Sequence, residues 1–293
     1  TKDQNSSDLA ANAATKAIAD SKIDQETLDY IIVAHNFGDT PFGSKQSNSL
    51  PSVASKVKAA LGIKNPKCVA YDILFGCPGW IEGVIQAKAF IKSGMAKKCL
   101  VIGTETLSRV VDANDRDSMI FADGAGATII QGSENSGGIM AHESVTYTDN
   151  NEVDMLFFGD SYKTNNDDQF IKMQGRKVYE FALSRVPDAM KACLDQSGTQ
   201  IQDLKKIFIH QANEKMDEAI VKRFYRLYKE KVPANVLPMN IETHGNSSVA
   251  TIPTLFDQVL KDQKEGHELS KGDVVLFASV GAGMNINAIT YQI

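Results

Sequence analysis

Short apolar runs alternate with longer segments in which apolar residues recur every three or four positions, and this alternation continues along the whole chain. Ser6 or Ser7 is placed to cap a first helix in which Leu9, Ala13, Ala17 and Ile18 share a face, with Asp8 at its positive end. The pattern then predicts a strand over 30–34, a helix over 53–61, a strand running up to Cys77, and a helix over 78–94. That last helix is apolar on nearly every side, as a core helix is, and stops at Gly94. A strand over 99–105 comes next, then the polar stretch 110–118 and a Gly-rich strand within 120–130 that closes the series. After 131–138, where turn formers cluster, residues up to about Gln169 show no regular period. A second series follows: a strand near Phe170, a long helix bent at Pro187, a strand over 207–210, a helix over 214–228, a strand over 236–241, a helix over 252–260 and two terminal strands. The Gly-, Ser-, Asn- and Pro-rich stretch 36–52 reads as a loop long enough to carry function.

The two series echo one another. LDYIIVAHNFG (28–38) and LKKIFIHQANE (204–214) each take an apolar strand into a histidine. CVAYDILFGCPGW (68–80) and VLPMNIETHGNSS (236–248) each reach a small-residue turn that opens a helix. IFADGAGATII (120–130) and LFASVGAGMNI (276–286) form a third echo. Cys77 lies 42 positions beyond His35, and Asn246 lies 36 beyond His210. This predicts an internally duplicated α/β chain, with halves 1–135 and 136–293 and mainly parallel sheets covered by helices. Cys77, His210 and Asn246 are expected to meet where the halves join.

At 293 residues and 43% hydrophobic content, the chain can bury a large core. A net charge of −5 argues against a nucleic-acid partner, because phosphate binding draws on a basic surface. Cys68, Cys77, Cys99 and Cys193 fall in no metal-ligand or disulfide spacing, so free thiols in a reducing cytoplasm are expected, with no metal site and no membrane span.

Cys77 precedes Pro78, a residue favoured at the start of a helix, so its thiol is expected at a helix N-terminus. The unpaired N–H groups and the dipole there favour a thiolate and can donate to an oxyanion. The other three cysteines read as small core residues. His210 ends a strand at the sheet's carboxyl edge, where ligands bind in α/β folds. Asn246 occupies the turn equivalent to that of Cys77, and there it can only offer a hydrogen bond to a carbonyl oxygen. His35, His142, His244 and His267 read as structural or solvated.

The stretches GCPGW, VIGTETLSR followed by NDRDS, IFADGAGA, IHQAN, HGNSSVATIP and VGAGMNIN span nearly the whole chain. In this order the sequence resembles the β-ketoacyl-acyl carrier protein synthase III family, of thiolase-like fold. The resemblance implies an acyltransferase that initiates fatty acid biosynthesis. Cys77 would take an acyl group from acyl-coenzyme A, and His210 with Asn246 would hold the thioester carbonyl of malonyl-acyl carrier protein. It further implies an oxyanion hole from the backbone N–H groups of Cys77 and Ala282. Coenzyme A contacts would fall at Arg116, Gly175, Tyr179 and Asn213, and a carrier-protein contact at Lys215. The coenzyme A thioester enters as substrate, with no cofactor, in a cytoplasmic homodimer.

Family members usually have some dozens of residues before the first helix seen here, a core strand among them. Pro78 and Trp80 stand where the family has Ala and Phe, Val280 replaces a common Phe, and the 36–52 loop is longer than usual. These differences surround the acyl pocket, so a primer other than acetyl is expected, with Phe42 or Leu50 reaching the neighbouring subunit's pocket. The rival reading is a thiolase-fold acyltransferase or ketosynthase of secondary metabolism that uses a longer acyl substrate. A non-catalytic subunit of the same fold would lack the cysteine.

Overall fold

The computed structural model describes residues 2–44, 46–133, 137–163, 168–261 and 264–293. Helix α1 (Ser6–Ser21), β1 (Tyr30–Ala34), α2 (Val53–Ala60), β2 (Val69–Ile73), α3 (Gly79–Lys92), β3 (Lys98–Thr106) and β4 (Asp123–Gln131) make the first series. The second consists of β5 (Gly138–Thr146), β6 (Leu156–Asp160), β7 (Gln169–Met173), α4 (Gly175–Ser197), β8 (Leu204–Ile209), α5 (Glu214–Leu227), α6 (Ile241–His244), α7 (Thr251–Leu260), β9 (Val274–Gly281) and β10 (Asn285–Gln292). One sheet has the order β2-β1-β3-β4, the other β5-β10-β9-β8, and β6 and β7 form a separate hairpin. β1 runs parallel to β2 and β3, and β8 runs parallel to β9. β4 and β10 join antiparallel to β3 and β9.

Side chains alternate across each strand, and here both alternating sets are apolar. Ile31 and Val33 of β1 pack with Leu100 and Ile102 under Ala10, Ala14 and Val57 of α1 and α2. Ile32, Ala34 and Val101 face the other way, onto Ile81 and Val84 of α3. In the second sheet Ile207, Ile209, Leu276 and Ala278 lie under α4 and α5, while Phe208, Val275 and Phe277 face α7. The result is five layers, with α3 and α7 sandwiched between the sheets. A strand covered on both faces needs a continuous apolar run, which is how β1, β3, β8 and β9 read in the sequence. Trp80 of α3 meets Phe277 of β9 edge to face at 5.9 Å, so the central layer belongs to both halves.

The structure departs from the sequence reading at several points. The cap of α1 is Asn5, one residue earlier than expected; its N–H donates to Asp8 at 2.8 Å in a capping box. Ser6 and Ser7 instead bond Thr106 and Asp39. No strand forms over 236–241. Pro238 interrupts the N–H ladder, and α6 begins at Ile241. The unpatterned region up to Gln169 holds β5 and one arm of the β6–β7 hairpin. The third echo is not equivalent in the fold. IFADGAGATII closes a long connection and forms β4, whereas LFASVGAGMNI is a tight hairpin between β9 and β10. Helix α4 continues through Pro187. Within 131–138, where the join is expected, residues 134–136 lie outside the described residues, as does the 135/136 boundary between the halves.

Candidate active site

Cys77 occupies the turn between β2 and α3, directly before Pro78, which serves as the N-cap of α3. Gly76 before it has φ +68°, a conformation natural to glycine. The turn fits against Gly281 and Ala282 at the end of β9. A Cβ on Gly281 would stand 2.3 Å from the Cys77 nitrogen, and one on Gly76 would stand 2.7 Å from the Ala282 nitrogen. The two backbone N–H groups expected to form the oxyanion hole thus belong to turns in direct contact. Gly281→Ala should therefore displace the nucleophile while leaving the strands intact. A misplacement approaching 1 Å costs about 10²-fold. Single-turnover acylation of a variant with unchanged circular dichroism checks this, and a wild-type rate would refute it.

His210 follows β8 and is almost fully buried. Its Nδ1 lies 2.7 Å from Thr251 Oγ1, and that hydroxyl donates to the Ser248 carbonyl at 3.0 Å. A hydroxyl has one hydrogen, so while it donates to the carbonyl it accepts from Nδ1–H, which leaves Nε2 with the lone pair. Burial lowers the His210 pKa to about 4, so the resting ring is neutral.

Asn246 accepts the Ser248 N–H on Oδ1 at 2.9 Å, which turns its NH2 group outward as a donor. Its backbone bonds Ile120 O and Ala122 N at 2.8 and 2.9 Å, fixing this turn of the second half onto the first. Ser248 Oγ donates to Cys77 Sγ at 3.3 Å. Ser248 thus touches all three expected residues: Cys77 through its hydroxyl, Asn246 through its N–H, and His210 by way of Thr251 through its carbonyl. Its φ of +52° is unusual for a residue with a Cβ, costs on the order of 1–3 kcal/mol, and is held by these contacts.

Burial pushes the Cys77 thiol up to about 11, opposed by the Ser248 hydrogen bond and reinforced by the Glu105 carboxyl. The expectation of a helix-stabilised thiolate therefore needs revision for the resting state. A helix dipole contributes at most about 2 kcal/mol, or roughly 1.5 pKa units, and cannot offset a rise of this size at neutral pH. The sulfur rests as a thiol and loses its proton only as it reacts.

The remaining expected residues lie on a surface around α4 and α5. Arg116 is exposed on the 3-10 turn Arg116–Ile120. Gly175 begins α4, where Asp117 Oδ2 would lie 3.5 Å from a Cβ on it, and the exposed Tyr179 is one turn further along. This brings the Arg116 turn against the start of α4. The turn is fastened by Lys172 of β7, which bonds Asp112 at 2.7 Å and Asp115 at 3.2 Å with all three side chains buried. Burial would raise the Asp112 carboxyl, but Lys172 and two backbone N–H groups hold it well below the ordinary range. Asn213 caps α5 through Oδ1 to the Met216 N–H at 3.3 Å, and Lys215 is exposed beside it. Two cavities, of about 590 and 720 Å³, flank β4 rather than Cys77.

Sequence reasoning missed Ser248, Thr251, Asn36 and Glu105. Glu105 carried a signal, as a carboxylate inside an otherwise apolar strand; Ser248 and Thr251 lie in HGNSSVATIP, but nothing in that stretch states their partners.

A cysteine at a helix start, tied through one serine to a histidine and an asparagine from the other half of a duplicated α/β fold, defines an acyltransferase of the thiolase-like class. The chain belongs to the β-ketoacyl-acyl carrier protein synthase III family. Residues 71–149 match 3-oxoacyl-[acyl-carrier-protein] synthase III, and residues 194–293 match the C-terminal part of that family. The chain is 31% identical over 290 residues to the β-ketoacyl-[acyl-carrier-protein] synthase III of Erythrobacter litoralis, covering 98% of this chain and 84% of that one. Against the enzyme of the same name from Vesicomyosocius okutanii, identity is 34% over 286 residues, with 97% and 83% covered. The crystal structure of the synthase III from Thermus thermophilus superposes with a TM-score of 0.85 at 28% identity, covering 100% of this chain and 86% of that one. No helix among the described residues is long and apolar enough to cross a membrane.

Proposed function

We propose that the protein is a 3-oxoacyl-[acyl-carrier-protein] synthase III that condenses an acyl-coenzyme A primer with malonyl-acyl carrier protein through an acyl-Cys77 intermediate. The observation that carries this reading is the single turn at Ser248, which links Cys77, Asn246 and, through Thr251, His210. In the first stage the Cys77 sulfur attacks the primer's thioester carbonyl. The thiol proton passes to the lone pair of His210 Nε2 as the new C–S bond forms, and then to the departing coenzyme A sulfur. The oxyanion of the tetrahedral intermediate is received by the N–H groups of Cys77 and Ala282.

In the second stage the malonyl carboxylate leaves as CO2, and its electron pair becomes an enolate held by the Asn246 NH2 group and His210. Neutral His210 with its lone pair on Nε2 is an acceptor, so it donates here only after taking a proton from solvent, which the incoming carboxylate's charge favours. The enolate carbon attacks the acyl-Cys77 carbonyl, the C–S bond breaks, and that proton returns to the sulfur. The chain's own side chains supply this chemistry without a cofactor. Arg116, Gly175, Tyr179 and Asn213 are the proposed coenzyme A contacts and Lys215 the carrier-protein contact, in a cytoplasmic homodimer built of halves 1–135 and 136–293.

The described part of the 36–52 loop supports a role for Leu50 in the neighbouring subunit. Leu50 is 83% exposed, so its side chain is free to meet a neighbouring subunit. Phe42 is half-exposed and lies under Lys2 and Arg109 at 4.8 and 5.2 Å, so part of its surface is already used within the subunit. Shortening the loop should reorder the preference among acyl-coenzyme A primers while Cys77 still becomes acylated, since loop length itself changes stability by only about 0.6 kcal/mol per doubling. Intact-protein mass spectrometry with a panel of acyl-coenzyme A thioesters tests both the reading and the loop. Absence of any acyl adduct on the wild-type chain would sink the first, and an unchanged ranking in the shortened dimer the second.

A further inference from the structure

Behind the nucleophile lies a chain of polar groups that the reaction above does not use. Asn36, the first residue after His35, donates its backbone N–H and its side-chain NH2 to Glu105 Oε1, at 2.6 and 2.5 Å. The second hydrogen of that NH2 group points at Ser248 Oγ, 3.0 Å away. Ser248 Oγ in turn lies 3.3 Å from Cys77 Sγ. Glu105 is fully buried in β3, and its other oxygen, Oε2, has no partner among the described residues.

Each link has a single direction once the sulfur is ionised. Glu105 Oε1 receives two N–H groups and is an acceptor whether or not Oε2 carries a proton. That double acceptance fixes the Asn36 amide with nitrogen, not oxygen, towards Glu105 and Ser248. Ser248 Oγ accepts from Asn36 on one of its two lone pairs and directs its single hydrogen at Sγ, which as a thiolate can only accept. We propose that Ser248 is a catalytic residue whose hydroxyl donates to the Cys77 sulfur as it becomes a thiolate, and that Asn36 and Glu105 are positioning residues that fix this donor's direction. The proposal rests on Cys77 as the nucleophile of the reaction proposed above, but its first test does not require that reaction.

The groups around the carboxyl agree with this role. Asp123 of β4 is engaged by the Ser108 N–H and hydroxyl. His35 is engaged by Asp72 and the Gly38 N–H. From α1 the Ser6 hydroxyl bonds Thr106, the residue after Glu105, at 2.9 Å. No cation faces Glu105 in these contacts. Burial pushes its carboxyl up to about 8 against the two Asn36 donors, so near neutral pH it is mostly protonated, and the repulsion by which it raises the Cys77 thiol develops as the pH climbs past that value.

The test is alkylation of Cys77 by iodoacetamide as a function of pH, in a background where Cys68, Cys99 and Cys193 remain as buried controls. A lost charge-assisted hydrogen bond corresponds to about a tenfold or greater fall in thiolate reactivity at a given pH. Ser248→Ala and Asn36→Leu should each show that fall, with the profile displaced to higher pH. Single-turnover acylation from acyl-coenzyme A should drop at least tenfold more than malonyl decarboxylation does. Glu105→Gln, which keeps an acceptor at Oε1, should retain most of the reactivity that Glu105→Leu loses. An unshifted profile in Ser248→Ala or Asn36→Leu overturns the proposal, as does an equal loss in both half-reactions, which would mean that the turn had merely collapsed. Normal alkylation behaviour without any acyl adduct would instead strike at the proposed reaction.

Discussion

Replacing Cys77 with alanine is expected to abolish acylation and to leave overall condensation at background, a loss on the order of 10⁴-fold or more. Cys68, Cys99 and Cys193 cannot substitute, because each is buried in a hydrophobic cluster and none lies at a helix start beside Ser248. Burial also raises their thiols, that of Cys99 to about 12. The Cys77→Ala chain should nevertheless fold, since Cys77 is only partly buried and its hydrogen bond to Ser248 is long. Intact mass and peptide mapping after exposure to acyl-coenzyme A decide the matter. A stable acyl group on the variant, or on any other cysteine of the wild type, would falsify the assignment.

Removing His210 or Asn246 separates the two stages. Asn246→Ala deletes the outward NH2 donor and should lower malonyl decarboxylation about 10²- to 10³-fold, the usual cost of one oxyanion donor. It should slow acylation of Cys77 much less, because an amide takes no part in moving the thiol proton. His210→Ala should impair both stages. It removes the proposed base for the Cys77 proton and the proposed donor that returns it, and it leaves Thr251 without its ring partner. Release of labelled CO2, measured separately from acyl transfer, distinguishes these outcomes. Normal decarboxylation in Asn246→Ala would favour the rival acyltransferase reading, in which no malonyl group is consumed.

Most of the architecture could be read from the sequence because each central strand is covered on both faces. β1, β3, β8 and β9 are apolar at most of their buried positions, Glu105 and Lys206 being exceptions, and such runs stand out against amphipathic helices. Cys77 and His210 were legible for a local reason: each sits where an apolar run ends in a turn or loop. What stayed hidden depends on contacts distant in sequence or on small local exceptions. Ser248 meets Cys77 across 171 positions and Asn36 across 212, and no spacing rule reaches so far. β5 pairs with β10 on one side only and mixes polar with apolar residues, so it produced no clear period. The segment 236–241 had strand-like composition, but Pro238 removes an N–H that a ladder would use. The third echo misled because glycine serves two purposes. Gly124 and Gly126 admit Ser247 and Pro253 against β4, whereas Gly281 and Gly283 form the turn beside Cys77.

The closeness of the two halves also limits how the molecule can move. Many two-lobed enzymes open like a jaw to admit substrate, with a hinge between rigid bodies. Here a Cβ on Gly103 of β3 would stand 2.3 Å from the Val249 carbonyl oxygen, Trp80 and Phe277 share one core, and the backbone of Asn246 is bonded into the first half. Opening such a jaw would break the hydrophobic centre of the protein and separate the nucleophile from its partners in the same motion. Substrate exchange must therefore leave this body shut.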